Sequence, residues 1–385
     1  MKLFASSTSY LGIDIGTASI KMVELENYKN QARLKTYGYA DISTNVLSGA
    51  IDKNNQLIAD YINTIAKKSN VQTRQVVAAL PTFSVFNFII NLPPMPKKDL
   101  TSAIKWEAKK FIPVPIDEMI LDWKILNKKK VKKASKKDDK SENDKSEEIK
   151  PAEENKGDKK PGSHQEKIIR AKGADKNYRI LLTAAPKNLV ARYIDIFKRA
   201  KLNLLSLETE AFALSRSLIG NDLSTVMIVD IGSTTADICL IEEGVPILNK
   251  GIDTGGDFIT KAIMNSLNVN KERADQFKRD FGLSSTGNKK IPDVIQQSLN
   301  SIINEIKYVF ELYQRQGDAR IDKIILTGGS AFLPNLPKYL SDLLNLPVII
   351  GDPWDRIIYP LDLKPVLQEI GPRMATSIGL AMRDI

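Results

Sequence analysis

The chain contains almost no cysteine and almost no histidine. Of its 385 residues, only Cys239 is a cysteine and only His164 is a histidine. A single cysteine excludes an internal disulfide, and there is no Cys/His cluster to hold zinc or an iron–sulfur centre. Because His164 lies in a low-complexity run, a histidine general base and a Ser-His-Asp triad are also excluded. Any catalysis must therefore use carboxylates, lysines and a bound metal.

Long apolar runs are missing as well. No uninterrupted apolar stretch approaches the roughly 20 residues that span a bilayer, and the N-terminus does not resemble a signal peptide. Residues 379–385 carry no basic amphipathic segment that would lie on a membrane. We therefore expect a cytoplasmic protein whose contact with any membrane comes through a partner.

The net charge of +10 is not concentrated in a basic arm. Residues 127–165 hold thirteen lysines against nine acidic residues, which is a mixed-charge composition. With so few apolar side chains, the interval 127–176 is predicted to be a disordered insert, either a solvated loop or a lysine-rich interaction tether. The distribution of charge indicates no nucleic-acid partner.

Two similar motifs occupy residues 13–19 (IDIGTAS) and 229–235 (VDIGSTT). In each, an apolar strand ends in Asp, turns on Gly, offers hydroxyls and continues into a second apolar strand. Glycine permits backbone angles that bring successive N–H groups onto an anion, and Asp14 and Asp230 can hold Mg²⁺, usually through water. One such hairpin is an ordinary connection between strands. Two copies predict a duplicated domain that clasps a polyphosphate between its halves.

Two glycine pairs are candidates for the rest of this site. Gly255 and Gly256 open a predicted helix, whose N-terminus can add backbone N–H groups near the phosphates. Gly328 and Gly329 follow a buried strand and precede Ser330. They present bare backbone against which a base and ribose can pack, although glycine pairs also make ordinary strand-to-helix turns.

A small mixed α/β subdomain is predicted over residues 75–195, around the insert. The apolar patterns predict a helix over 98–111 and strands over 76–80, 86–92, 119–126 and 178–185. The last two strands flank the insert, so we expect them to pair as a hairpin with a lengthened loop.

These motifs, in this order, resemble the actin-like ATPase superfamily. Within it, several stretches are similar to the PilM family, the cytoplasmic actin-like components of type IV pilus assembly machines. The stretches are 80–81 (LP), Leu100, 106–108 (WEA), 111–115 (FIPVP), 121–123 (LDW), 182–186 (LTAAP), 207–214 (LETEAFAL) and 375–383 (ATSIGLAMR).

The resemblance implies an α/β fold with two ribonuclease-H-like lobes, one carrying the small subdomain and the other a second inserted subdomain that is helical and strand-containing. The implied parts are the first lobe (1–74), the small subdomain (75–195), a connection with the Glu210 helix (196–223), the second lobe (224–264), its inserted subdomain (265–320), and an adenosine motif with a C-terminal helix that returns to the first lobe (321–385).

The resemblance also implies ATP and Mg²⁺ in the cleft between the lobes. The implied nucleotide-binding residues are Gly16, Thr17, Ala18, Ser19 and Lys21 in the first phosphate loop, Gly232, Ser233, Thr234 and Thr235 in the second, and Gly255, Gly256, Asp275, Lys278, Gly328, Gly329 and Ser330 around the nucleoside. Asp275 stands where the family has Glu beside the ribose, and Asp14 and Asp230 are the implied metal-holding residues.

Glu210 corresponds to the water-orienting acid of DnaK-like relatives. With Asp14 and Asp230 it forms the predicted catalytic set of a slow Mg²⁺-dependent ATPase. A Glu at the start of a helix can also serve only to complement the helix dipole or complete a cap. Nucleotide binding is therefore the prediction, and turnover is left open.

The function implied by the resemblance is an ATP-binding adaptor of the type IV pilus inner-membrane complex. Its implied partners are the N-terminal cytoplasmic peptide of a PilN-like single-span membrane protein and other pilus inner-membrane components. A filament-forming cytoskeletal ATPase and a type II secretion or FtsA-like scaffold are the alternatives, and homo-oligomerisation stays open. The sequence carries no convincing motif for the substrate pocket of a small-molecule kinase, although Asp14 stays open as the catalytic base of one.

Overall fold

The computed structural model describes residues 8–42, 51–126, 177–284, 290–315 and 320–385. The predicted disordered insert, 127–176, lies outside the described residues. The strands are β1 (Ser9–Ile15), β2 (Ser19–Tyr28), β3 (Gln31–Asp41), β4 (Gln75–Leu80), β5 (Phe86–Leu92), β6 (Met119–Leu126), β7 (Tyr178–Pro186), β8 (Asn203–Thr209), β9 (Val226–Ile231), β10 (Ala236–Glu242), β11 (Val245–Ile252), β12 (Lys323–Thr327), β13 (Val348–Ile350) and β14 (Ile357–Ile358). The helices are α1 (Ile51–Lys68), α2 (Lys97–Ala108), α3 (Lys187–Arg199), α4 (Glu210–Leu218), α5 (Gly256–Leu267), α6 (Lys271–Phe281), α7 (Lys290–Gln314), α8 (Leu336–Leu344) and α9 (Lys364–Ala381).

The first sheet has six strands in the order β14-β3-β2-β1-β4-β8. Strands β1 to β3 form an antiparallel meander, and β4 and β8 extend the sheet in parallel. Helices α1 and α3 cover one face through apolar side chains such as Ile58, Ile62 and Phe197. Helix α9 covers the other face. Because β1 is central and covered on both faces, its residues from Leu11 to Ile15 are all buried and do not alternate between buried and exposed.

The second sheet repeats this arrangement with the order β11-β10-β9-β12-β13. Its meander, β9 to β11, is antiparallel, and β12 and β13 again extend it in parallel. Ile259 of α5 and Ile295 and Ile302 of α7 belong to the core on one face. The repeated topology confirms the duplicated domain that the repeated motif predicted and the two lobes that the resemblance implied.

Helices α4 and α9 pack together and connect the two lobes. Helix α9 contacts β1, β2 and β4 of the first sheet and β12 of the second. Helix α4 supplies Ala211 and Leu214 to a core shared with β9, β10 and β12. The packing is close enough that a Cβ on Gly379 of α9 would lie 1.9 Å from the Ala213 carbonyl oxygen of α4. No helix among the described residues is long and apolar enough to cross a bilayer.

A third, separate sheet has the order β5-β7-β6 and is covered by Leu100, Ile104 and Ala108 of α2. Strands β6 and β7 pair antiparallel across the insert, as expected. This small sheet differs from the predicted interval 75–195 at both ends. Strand β4 pairs with β1 and β8 of the first sheet, and α3 packs against α1. The difference arises because the sequence of an apolar strand does not show which strands it pairs with in the folded protein.

The interval 265–320, predicted as the inserted part of the second lobe, contains α6 and α7, which pack against α5. Within the described residues of the interval 265–320 all regular structure is helical. The strand content implied for this part by the resemblance is therefore not found in those residues.

Candidate functional site

The two Asp-x-Gly hairpins have the same local geometry. In the first, the Gly16 N–H donates to the Ser19 carbonyl at 3.0 Å, and in the second the Gly232 N–H donates to the Thr235 carbonyl at 2.9 Å. The hydroxyl oxygens of Thr17 and Thr234 lie 2.6 Å apart. The tips of the two loops therefore touch across the interface between the lobes.

A cavity of about 540 Å³ opens beside these loops. It contains twelve of the predicted residues, which are Asp14, Ala18, Ser19, Lys21, Asp230, Gly232, Ser233, Gly256, Lys278, Gly328, Gly329 and Ser330. It also contains six residues that the sequence analysis missed, which are Asp41, Ile42, Asp257, Lys271, Arg373 and Thr376. The cavity is thus lined by both lobes and by α9, with several cationic side chains and hydroxyls.

Lys21 is the cation at the centre of the predicted phosphate end. Its ammonium lies 2.7 Å from Asp14, its cross-strand neighbour in the β1–β2 register. Burial alone would lower the pKa of Lys21, but Asp14, helped by Asp230 and Glu210, raises it overall. Lys21 therefore stays charged and offsets the negative charge around it.

The carboxylates near Lys21 are electrostatically strained. Burial and the neighbouring charge of Asp14 raise the pKa of Glu210 to about 7. The hydrogen bonds from Thr82 lower this pKa but do not cancel the rise. Withdrawal from water raises the pKa of Asp230 to about 6, with Lys21 opposing the shift and Asp14 adding to it. An added cation or hydrogen-bond donor would stabilise the ionised forms of both carboxylates. A divalent metal bound beside them would have this effect.

A fourth carboxylate, Asp237, was not predicted. Asp230 pairs with Asp237 in the β9–β10 register, as Asp14 pairs with Lys21 in the β1–β2 register. Burial, and then the charges of Glu210 and Asp230, raise the pKa of Asp237 well above its usual range. The duplicated hairpins therefore differ in charge at equivalent positions, a difference that aligning the two copies would have revealed.

The acid-rich cleft leads to a pH prediction. Without Mg²⁺ and nucleotide, we expect the free energy of unfolding to fall by on the order of 4 kcal/mol between about pH 5 and pH 8. Glu210 and Asp230 keep their protons in the folded protein at pH values where the unfolded chain has lost them. A group whose pKa rises on folding contributes stability that is lost as pH rises through the folded pKa.

Urea unfolding at a series of pH values measures this dependence. The Glu210→Gln variant cannot ionise at this position, so its stability should fall less steeply with pH. Parallel curves for the parent chain and the variant would contradict the assignment of the slope to Glu210.

The glycine pairs are held in crowded backbone positions. Gly328 has a φ of +84°, and a Cβ on it would lie 2.2 Å from an oxygen of Asp230. A Cβ on Gly255 would lie 2.6 Å from the Ser233 carbonyl oxygen, and one on Gly256 would lie 2.5 Å from the Ser330 hydroxyl. The absence of a side chain at each of these glycines therefore allows its backbone to pack directly against Asp230, Ser233 or Ser330.

The expectation that the α5 N-terminus adds N–H groups to the phosphates is wrong for its first two amides. The Gly256 N–H donates to the Gly232 carbonyl at 2.9 Å, and the Asp257 N–H donates to the Ser233 carbonyl at 2.8 Å. These bonds attach the start of α5 to the loop of the second Asp-x-Gly hairpin. The helix start thus positions the loop, because its amides are already hydrogen-bonded within the protein.

Lys278 lines the cavity, whereas its predicted companion Asp275 does not appear among the lining residues of the described chain. Asp275 accepts a hydrogen bond from the Thr260 hydroxyl at 2.6 Å and lies 3.3 Å from the Lys278 ammonium. Lys278 also donates to the Gly256 carbonyl at 3.1 Å. Burial opposes ionisation of Asp275, but Thr260 and Lys278 together hold its pKa below the usual value. Asp275 therefore orients Lys278.

The remaining predicted residues, Gly16, Thr17, Thr234, Thr235, Gly255 and Glu210, also do not line this cavity in the described part of the chain. The loop residues shape the hairpins, and Glu210 is held by Thr82 next to the cavity. Of the missed residues, Arg373 of α9 forms a 2.8 Å ion pair with Asp41 and lies over the Tyr39 ring. No local motif identifies such pairs, because helix packing brings them together.

Comparison with known proteins places the chain in a family. A family model described as Type IV pilus assembly protein PilM matches residues 12–142 and 166–385. The chain belongs to the PilM family. The matched residues include both lobes and the small sheet described above.

Solved structures show the same fold. The structure titled PilM-PilN type IV pilus biogenesis complex is 23% identical, covers 97% of this chain and 98% of the other, and superposes with a TM-score of 0.75. MreB5 of Spiroplasma citri, solved with AMPPNP, is 12% identical with a TM-score of 0.50 and covers 96% of this chain and 94% of the other. The fold is thus that of the actin-like ATPases.

Curated relatives match over shorter lengths. The cell shape-determining protein MreB of Escherichia coli is 22% identical over 177 residues, which are 38% of this chain and 51% of MreB. The cell division protein FtsA of Neisseria meningitidis serogroup B is 25% identical over 185 residues, which are 40% of this chain and 41% of FtsA. The chain spans about half, or less, of the length of these relatives.

Proposed function

We propose that this PilM-family chain is a nucleotide-dependent adaptor of type IV pilus assembly. Its cleft binds ATP with Mg²⁺, and occupancy of the cleft changes its affinity for the N-terminal cytoplasmic peptide of a PilN-like membrane protein. The observation that carries the proposal is the cavity between two facing Asp-x-Gly loops whose tips touch through Thr17 and Thr234.

The residues around the cavity fit ATP. Lys21, Lys278 and Arg373 supply positive charge for a triphosphate. The Ser19, Ser233 and Ser330 hydroxyls also line it. The volume lies within the range of small-molecule sites, which is roughly 300 to 1,000 Å³. Gly329 leaves bare backbone beside Arg373 for the nucleoside.

The same residues fit Mg²⁺ held mainly by phosphate and water. Among the described residues, no group of three or more His, Cys, Asp or Glu side chains converges as a metal site. Asp14 and Asp230 supply hard oxygen ligands on opposite lobes, and Mg²⁺ usually keeps several waters beside one or two carboxylates. When bound, the ion would offset the charge of the phosphates. Within this proposal, Glu210, which Thr82 holds next to the cavity, orients a water for turnover.

The partner is inferred from the family and from the related structure. That structure contains PilM with PilN, and it covers 97% of this chain. Helix α2 and the turn that follows it carry exposed apolar side chains, including Trp106 and Phe111 at 68% and 45% exposure. Such a surface suits a short apolar peptide. A single-span partner would hold the chain at the cytoplasmic face of the inner membrane.

Isothermal titration calorimetry tests the nucleotide half of the proposal. We expect saturable binding of ATP at one site per chain, tighter with Mg²⁺ than with EDTA. Absence of binding under both conditions would remove the nucleotide from the account and leave a purely structural adaptor.

A further inference from the structure

Glu210 is bound directly by the chain that leads into the small sheet. One oxygen of its carboxylate, Oε2, accepts a hydrogen bond from the Thr82 N–H at 3.0 Å and another from the Thr82 hydroxyl at 2.6 Å. Thr82 is 5% exposed and begins the short 3₁₀ turn Thr82–Ser84, which connects β4 to β5. The acid beside the cleft and the entrance to the small sheet therefore form one hydrogen-bonded unit.

The register of the first sheet fixes this meeting point. Strands β4 and β8 run parallel, and their last pair is Leu80 with Thr209. Glu210 is the next residue after Thr209, and Thr82 follows Leu80 by two residues. Because the ends of parallel strands meet at one edge, the start of α4 and the turn before β5 lie side by side.

The same turn also contacts the second lobe. A Cβ on Gly251 of β11 would lie 3.3 Å from the Phe83 Cβ and 3.1 Å from Oδ1 of Asp237. Beyond the turn, β5 runs against β11, and Arg179 of β7 forms a 2.7 Å ion pair with Glu242 of β10. A displacement of this turn would therefore reach both the small sheet and its contact with the second lobe.

We propose that Thr82 is a positioning residue that couples the occupancy of the cleft to the small sheet. The inference rests on the proposed function, since it names the path by which nucleotide binding reaches the small sheet. Glu210 accepts two hydrogen bonds from one residue while it faces the charges of Asp14 and Asp230. A bound cation and phosphate change that charge balance, so the Thr82 bonds differ in strength between the empty and the occupied cleft. A difference of this kind is what couples two sites.

Hydrogen exchange read by mass spectrometry tests the proposal on the full chain. Mg-ATP is added at a concentration that calorimetry shows to be saturating, and exchange is followed over residues 82–92. In the parent chain we expect the exchange rate of this segment to change by about fivefold or more. Thr82→Val keeps the N–H and removes the hydroxyl, so the change should largely disappear, and Thr82→Ser should restore it.

The matched control is Thr183→Val. The Thr183 hydroxyl donates to Asn87 at 2.8 Å within the same small sheet and makes no bond to Glu210. This variant should respond to Mg-ATP as the parent chain does.

The outcomes separate the two proposals. If calorimetry shows no ATP binding, the proposed function and this inference both fail. If ATP binds but exchange over 82–92 is unchanged in the parent chain, or changes equally in Thr82→Val, only the coupling through Thr82 is overturned. Because the parent chain alone can give the overturning result, the test does not depend on the folding of Thr82→Val.

Discussion

Replacing Lys21 with methionine is expected to lower the affinity for Mg-ATP by about 100-fold, or roughly 3 kcal/mol. The Lys21 ammonium lies 2.7 Å from Asp14 and within the field of Asp230 and Glu210. Without it, no cationic side chain among the described residues lies beside Asp14, and the carboxylates repel the phosphates of the nucleotide. Methionine keeps the length and apolar stem of lysine, so the loss isolates the charge. Calorimetric titration of both chains measures the difference.

Lys250→Met is the matched control for this loss of charge. Lys250 lies on β11, contacts Glu305 and Tyr308, and is absent from the residues that line the cavity in the described chain. The control should bind Mg-ATP as the parent does. An affinity of Lys21→Met within about threefold of the parent would show that the cavity is not the phosphate site, because that difference is only about 0.7 kcal/mol.

Gly379→Ala is expected to reduce the free energy of unfolding by about 3 kcal/mol. Helix propensity alone predicts the opposite, since alanine stabilises a helix interior by up to about 1 kcal/mol relative to glycine. The added Cβ, however, would lie 1.9 Å from the Ala213 carbonyl oxygen and 2.5 Å from its carbon. Both atoms are helix backbone, so α4 and α9 must move apart. Urea unfolding measures the loss.

Gly371→Ala, in the same helix, is the control for the substitution itself. Its Cβ would lie 3.2 Å from the Trp354 ring, a side-chain contact that small shifts can relieve. We expect a change within about 1 kcal/mol, because propensity and crowding oppose each other. Equal effects of the two substitutions would mean that the close approach of α4 and α9 is not important for stability.

The two Asp-x-Gly hairpins could be predicted from the sequence because each is local. An apolar strand, Asp, Gly and hydroxyls are contiguous, and in both hairpins the Gly N–H donates to the backbone carbonyl of the residue three positions later. The repetition of the motif predicted the duplicated lobes, which the two equivalent strand orders confirm. The roles of the individual site residues stay predictions until nucleotide binding is measured.

The rest of the site depends on long-range packing. Arg373 and Thr376 reach the cavity because α9 crosses between the lobes, and Asp41 reaches it at the end of β3. None of these positions carries a local motif. Asp237 was recoverable in principle, since it stands where Lys21 stands in the first copy. The start of α5 was misjudged because its amides are hydrogen-bonded to the second phosphate loop.

The most direct test of the central claim is a fluorescence-polarisation titration of the full chain. The probe is the labelled N-terminal cytoplasmic peptide of the PilN-like protein from the same genome, titrated with saturating Mg-ATP and again after nucleotide removal. We predict saturable binding whose Kd differs by about fivefold or more between the two states. Equal Kd values in the two states, or no binding in either, would contradict the nucleotide-dependent adaptor.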